Sequence, residues 1–151
     1  MSLTSHFTKG GEQFPLIISS DDPTAVGNNV AFRITLAQSL NLSGDYMCAL
    51  QSAEFNHIGP ASSVFISTSL NALIMTGSEM TNTLCVIPPS DIPGPFYWQQ
   101  TSTLPIWVPL SASSIHNIEV SLTDSNGDAI PNDAAIKTRL TILIRPITLR
   151  P

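Results

Sequence analysis

At 151 residues and 16.2 kDa the chain can bury one real core and is too short for two comfortable domains. A net charge of −5 and a pI near 4.8 argue against a nucleic-acid grip over the whole surface. Hydrophobic residues reach 42 % while charged residues stop at 11 %, well under the usual ~25 %.

Ser, Thr and Asn fill that gap. A surface of hydroxyls and amides suits one covered by neighbouring subunits, and it also suits an ordinary β domain, which favours Thr and Ser over Lys and Glu. The few cations are unevenly spread: Lys137, Arg139, Arg145 and Arg150 all fall in the last fifteen positions. They read either as solvated strand ends or as a basic edge that meets an acidic partner or lines the interior of a nucleic-acid container.

Residues 1–13 are polar, with adjacent Gly10 and Gly11, and read as a flexible N-terminal arm. Met1–Gly11 lacks the basic start and apolar run of a signal peptide. Phe14–Ser19 is the first plausible strand, and Asp21–Asn29 is a loop by its turn chemistry. Val30, Phe32, Ile34 and Leu36 then alternate with Ala31, Arg33, Thr35 and Ala37, which predicts a strand with one buried face. Ser43-Gly-Asp45 marks a turn.

Tyr46–Phe55 is rich in helix formers, but the flanking turns leave room for few helical turns, so the alternation of Tyr46, Cys48 and Leu50 is read as a strand. Val64–Ser69, Leu70–Thr76 and Asn82–Ile87 continue the β pattern. Asp91–Pro95 is loop, and Phe96–Gln100 and Leu104–Leu110 are short aromatic-rich strands. Pro105 and Pro109 put the latter at a sheet edge or bulge, because proline has no N–H for a central ladder.

The clearest stretch closes the chain. Ile118, Val120 and Leu122 alternate with Glu119, Ser121 and Thr123; Asn126-Gly127 supplies a tight turn; Leu140, Ile142 and Ile144 alternate on the return. This predicts a hairpin. Eight or nine short strands with no convincing helix indicate an all-β sandwich or barrel, and a single eight-stranded jelly-roll sandwich over residues 14–151 fits best. No 20–50-residue repeat is present, which excludes a propeller or solenoid.

Chemistry is sparse. His6, His57 and His116 have no paired spacing, and Cys48 and Cys85 lie in separate apolar runs as expected of buried free thiols, so no metal site is predicted. Asp124-Ser-Asn-Gly-Asp128 has oxygen ligands at alternate positions like a calcium loop, but its glycine comes fourth and Ala135 stands where a bidentate Glu belongs. A turn is the better reading.

Asp21-Asp22 sits on a loop beside Pro23, and no Gly-x-Ser-x-Gly is present. Phe96-Tyr-Trp98 and Trp107 have no interleaved cations and suit packing or a subunit contact better than base stacking. No catalytic, cofactor-binding or metal-ligating residue is assigned, and the chain is not expected to be an enzyme. No apolar window is long enough for a membrane-spanning helix.

Several segments together resemble the penton-type minor capsid proteins of Polinton/Maverick-like elements, adintoviruses and related eukaryotic double-stranded DNA viruses. They are Phe32-Arg-Ile-Thr-Leu36, Leu42-Ser-Gly-Asp-Tyr-Met-Cys-Ala-Leu-Gln-Ser52, Leu84-Cys-Val-Ile-Pro88, and the closing run from Ile118 to Ile130 followed by Leu140–Arg145. The likeness spans roughly residues 30–147. It departs from the family pattern at Ile144, where Phe is usual before the final Arg.

The resemblance implies a virion protein assembled inside the infected host cell. It would form a homopentamer at the fivefold vertices of an icosahedral shell, beside the major capsid protein and other capsid components. Basic C-terminal residues would meet acidic neighbours. Two other classes remain in view: a receptor- or carbohydrate-binding β-sandwich such as a viral spike or lectin-like domain, using Trp98 or Trp107, and a cupin-like enzyme, which would want clustered His and Glu.

Overall fold

A computed structural model describes residues 13–58, 63–88, 98–101 and 106–147. Among these residues there is no helix; twelve strands form two five-stranded sheets and a separate two-stranded ribbon. The expected arm, except Gln13, lies outside the described residues.

The first sheet runs in the order β1 (Phe14–Ser19), β12 (Arg139–Pro146), β4 (Tyr46–Phe55), β10 (Val108–Pro109), with β9 (Trp98–Thr101) also on β4. β10 pairs with Cys48 and Met47 and β9 with Ser52 through Phe55. Together they make one edge in two pieces. Pro109 therefore stands at an edge, as proline requires.

The second sheet runs β2 (Val26–Gly27), β3 (Ala31–Asn41), β11 (Ser114–Thr123), β5 (Val64–Thr68), β8 (Thr83–Ile87). The ribbon pairs β6 (Ile74–Thr76) with β7 (Glu79–Thr81).

Inward residues of both sheets meet in one apolar cluster. Phe32, Ile34, Ile118, Val120, Leu122 and Ile66 come from one sheet, and Ile18, Cys48, Phe55, Leu140, Ile142 and Ile144 from the other. Burying each large aliphatic side chain is worth roughly 1.5–3 kcal/mol. That gain decides β4, whose helix-forming composition yields to a position between β12 and the β9/β10 edge.

The closing stretch does not form the expected hairpin. β11 already has β3 on one side and β5 on the other, so no edge is left for β12. The Asn126-Gly127 turn does reverse the chain. Asp124 Oδ1 accepts the N–H groups of Asn126 (2.8 Å) and Asp128 (3.0 Å), and Gly127 takes φ +83°. The return is brief: a bridge joins Thr123 to Ala129, and Ile130 drops into the core.

Residues 131–138 then cross to the other sheet. Pro131 O accepts from Ile58 N (2.8 Å), Asn56 Oδ1 accepts from Asp133 N, and Asn29 Nδ2 donates to Ala134 O (2.9 Å). Buried Thr138 exchanges hydrogen bonds with Ser20 and donates its hydroxyl to Asn29 O. The turn chemistry is local and correct; the choice of partner strand is not local.

Candidate functional site

The residues singled out by chemistry do not converge. Cys48 is fully buried on β4 and its thiol is pushed up to about 12 by burial, while half-buried Cys85 on β8 is shifted in the same direction for the same reason. Neither is a thiolate at neutral pH. His116 is exposed beside a register shift in β11, with Nδ1 3.1 Å from Ser39 Oγ.

His57 is buried, and neither ring nitrogen has a hydrogen-bond partner among the described residues. It stands at the end of β4, where the next described segment starts at residue 63. Among the described residues, no group of three His, Cys, Asp or Glu side chains could hold a metal ion.

The carboxylates are turn-builders. Thr24 donates its hydroxyl (2.7 Å) and its backbone N–H (2.8 Å) to Asp22 Oδ1; the side-chain bond is the larger cause of a pKa below the ordinary value. Asp21 accepts from Ser19 Oγ. Asp124 holds its own turn together, as above. His6, Phe96, Tyr97 and Arg150 lie outside the described residues, and of Trp98 only the backbone, in β9, is described.

Trp107 and Arg145 form a contact that no sequence spacing announced. β10 places Pro109 opposite Met47, and β12 places Arg145 opposite the same residue. Three strands thus bring Trp107, Met47 and Arg145 together on the outer face of the first sheet. The guanidinium carbon lies 3.8 Å from the Trp107 ring centroid, and Arg145 Nε donates to Met47 Sδ at 3.4 Å. One face of Trp107 is covered in this way.

The surface features that remain are apolar. In the first sheet, Ile17 on edge strand β1 is 63 % exposed opposite Thr141, and at the other edge Ile106, just before β10, is 76 % exposed. Beside the second sheet stands the β6–β7 ribbon, which among the described residues pairs only with itself. Met75 faces Met80 across the ribbon, and with Leu73 they are 55 to 62 % exposed. The opposite face of the ribbon carries Ile74, which packs on the core, and Glu79 and Thr81, which overhang the second sheet. The ribbon turns its apolar face to solvent, the reverse of a hairpin that serves only its own core.

No protein-family model matches the chain, and no curated protein matches it. No helix among the described residues is long and apolar enough to cross a membrane.

Proposed function

We propose that this protein is a structural subunit that works by self-assembly: a single jelly roll forming a penton-like homopentamer in an icosahedral viral capsid. The observation that carries the reading is the pair of exposed apolar faces. A closed ring of more than two subunits needs a heterologous contact, in which one patch of a subunit meets a different patch of the next. The Leu73-Met75-Met80 face of the ribbon, beside the second sheet, and exposed Ile17 on edge strand β1 of the first sheet are two such patches on one sandwich.

The strand order supports the jelly-roll part. Eight principal strands, counting β9 and β10 as one edge, run β1-β12-β4-β9/β10 and β3-β11-β5-β8. Successive strands change sheet at every step except β5 to β8, as two interleaved Greek keys require. The low charge content suits a chain whose surface is largely covered by neighbours. The likeness of residues 30–147 to penton-type capsid proteins supports the vertex position, contact with a major capsid protein, and a virion location.

Charge complementarity belongs to the same reading. Arg145 is held by Trp107 and Met47 within its own subunit, so the basic contribution to a neighbour falls to exposed Lys137 and Arg139. Acidic Glu79, Asp124 and Asp128 stand around the ribbon and the 124–128 turn. Native mass spectrometry of the purified chain tests the proposal. Pentamers at micromolar concentration are expected; a monomer or a trimer over the whole accessible range overturns it.

A further inference from the structure

The ribbon does more than present methionines. Its inner face and the 124–127 turn wall a groove of about 630 Å³ over the outer surface of β5 and β11, a volume in the range of small-ligand sites. Phe65, Ser67, Ser121 and Thr123 form the floor; Glu79 and Thr81 stand on the ribbon side. A second compartment of about 350 Å³, which includes Arg33 and Glu119, shares Ser67 and Ser121 and extends the groove along the same face.

We propose that this groove binds a neutral oligosaccharide. Three features select that class. First, β5 and β11 are interior strands, each hydrogen-bonded on both sides, so their backbone cannot receive an extended peptide as an added strand. Recognition must come from side chains.

Second, those side chains are mostly hydroxyls, each a donor and an acceptor at once, which matches the hydroxyls of a sugar. Ser121 and Thr123 have no side-chain hydrogen bond among the described residues, whereas Thr81 and Thr83 are already joined at 2.9 Å. Phe65, half-buried on the floor, offers its remaining apolar surface for the C–H face of a sugar ring.

Third, among the described residues none that lines the ribbon compartment is Lys or Arg, while Glu79 and Asp124 both line it. Sialylated, sulfated and phosphorylated ligands are disfavoured there by like charge. In the second compartment Arg33 is offset by Glu119, its partner in the strand register. The groove lies on the inner side of the ribbon and the exposed methionines on the outer side, so sugar binding does not use the apolar ring contact, although Glu79 and Asp124 are shared with the acidic side of the proposed subunit contact.

The test is an array of neutral glucans, mannans, galactans and xylans, with sialylated and sulfated glycans and an Arg-rich peptide as comparators. It is followed by calorimetric titration of the intact chain with the best binder. Binding of a neutral oligosaccharide is expected. Ser121→Ala and Thr123→Val, which remove hydroxyls with little change of shape, should each weaken it about tenfold, with the thermal midpoint unchanged. If either variant shifts the midpoint, amide NMR shifts of the unaltered protein decide the location. They should centre on residues 65–67, 79–82 and 121–127. The proposal is overturned by absence of binding to every neutral sugar, by selective binding of anionic glycans or of the peptide, or by shifts centred elsewhere.

Discussion

Cys48 illustrates how a residue can look chemical in sequence and prove structural in place. It points from β4 into the core and is fully buried, and burial alone pushes its thiol from an ordinary value of 9.0 up to about 12. The folded state therefore holds a proton that the unfolded chain releases at lower pH. The stability this contributes is complete below pH 9 and is lost as pH rises through the folded value. Two outcomes follow. At pH 8 a thiol reagent should leave Cys48 unmodified until denaturant is added, while Cys85, only half-buried, reacts slowly in the native protein. Between pH 9 and pH 12, Cys48→Ala should flatten the decline of folding stability relative to the unaltered chain. Parallel pH profiles for the two proteins would contradict this account. Asp124 shows the same shift of role. Oxygens at alternate positions gave it the look of a ligand, yet its Oδ1 is occupied by two backbone N–H groups of its own turn.

At the scale of elements, alternation was the dependable signal. β3, β4 and β11 bury Phe32 and Ile34, Tyr46, Cys48 and Leu50, and Ile118, Val120 and Leu122 at the expected spacing, and β4 spans Tyr46–Phe55 as its pattern indicates. Pro109 pointed to a sheet edge and stands on one. The true partners of β11 and β12, which lie in different sheets, were illegible, because a strong Asn-Gly turn reports only the direction of the next few residues. Which neighbour a strand takes depends on which edges are already filled, and β3 and β5 lie far from β11 in sequence. The Trp107–Arg145 contact was hidden for the same reason: it arises from the joint register of β4, β10 and β12 on the outer face. That contact separates Arg145 from the other C-terminal cations. Arg145→Ala should lower stability by about 1 kcal/mol through loss of the cation–π contact and the Met47 hydrogen bond. Arg139→Gln, at an exposed position, should stay within about 0.5 kcal/mol. Chemical denaturation of the two variants checks this, and equal losses would refute the distinction.

For the whole molecule, the decisive question is whether the two apolar faces meet each other across a subunit boundary. A heterologous ring makes a prediction that a symmetric dimer contact does not. Met75→Ser with Met80→Ser removes the ribbon face; Ile17→Asp removes the sheet face. Each variant alters only exposed side chains, so each should fold with a midpoint near that of the parent and be monomeric alone. Mixed together, they restore one intact boundary: the ribbon of the Ile17 variant can meet the sheet face of the methionine variant. The complex must then stop, since the free ribbon of the pair lacks its methionines and the free sheet face carries the aspartate. Equimolar mixtures should therefore give heterodimers by native mass spectrometry, with neither homodimers nor pentamers. If instead either variant still forms pentamers alone, the face it removes does not carry the ring contact. If the mixture stays monomeric, the two faces are not partners. The heterodimer outcome would fix the direction of assembly before any image of a capsid is needed.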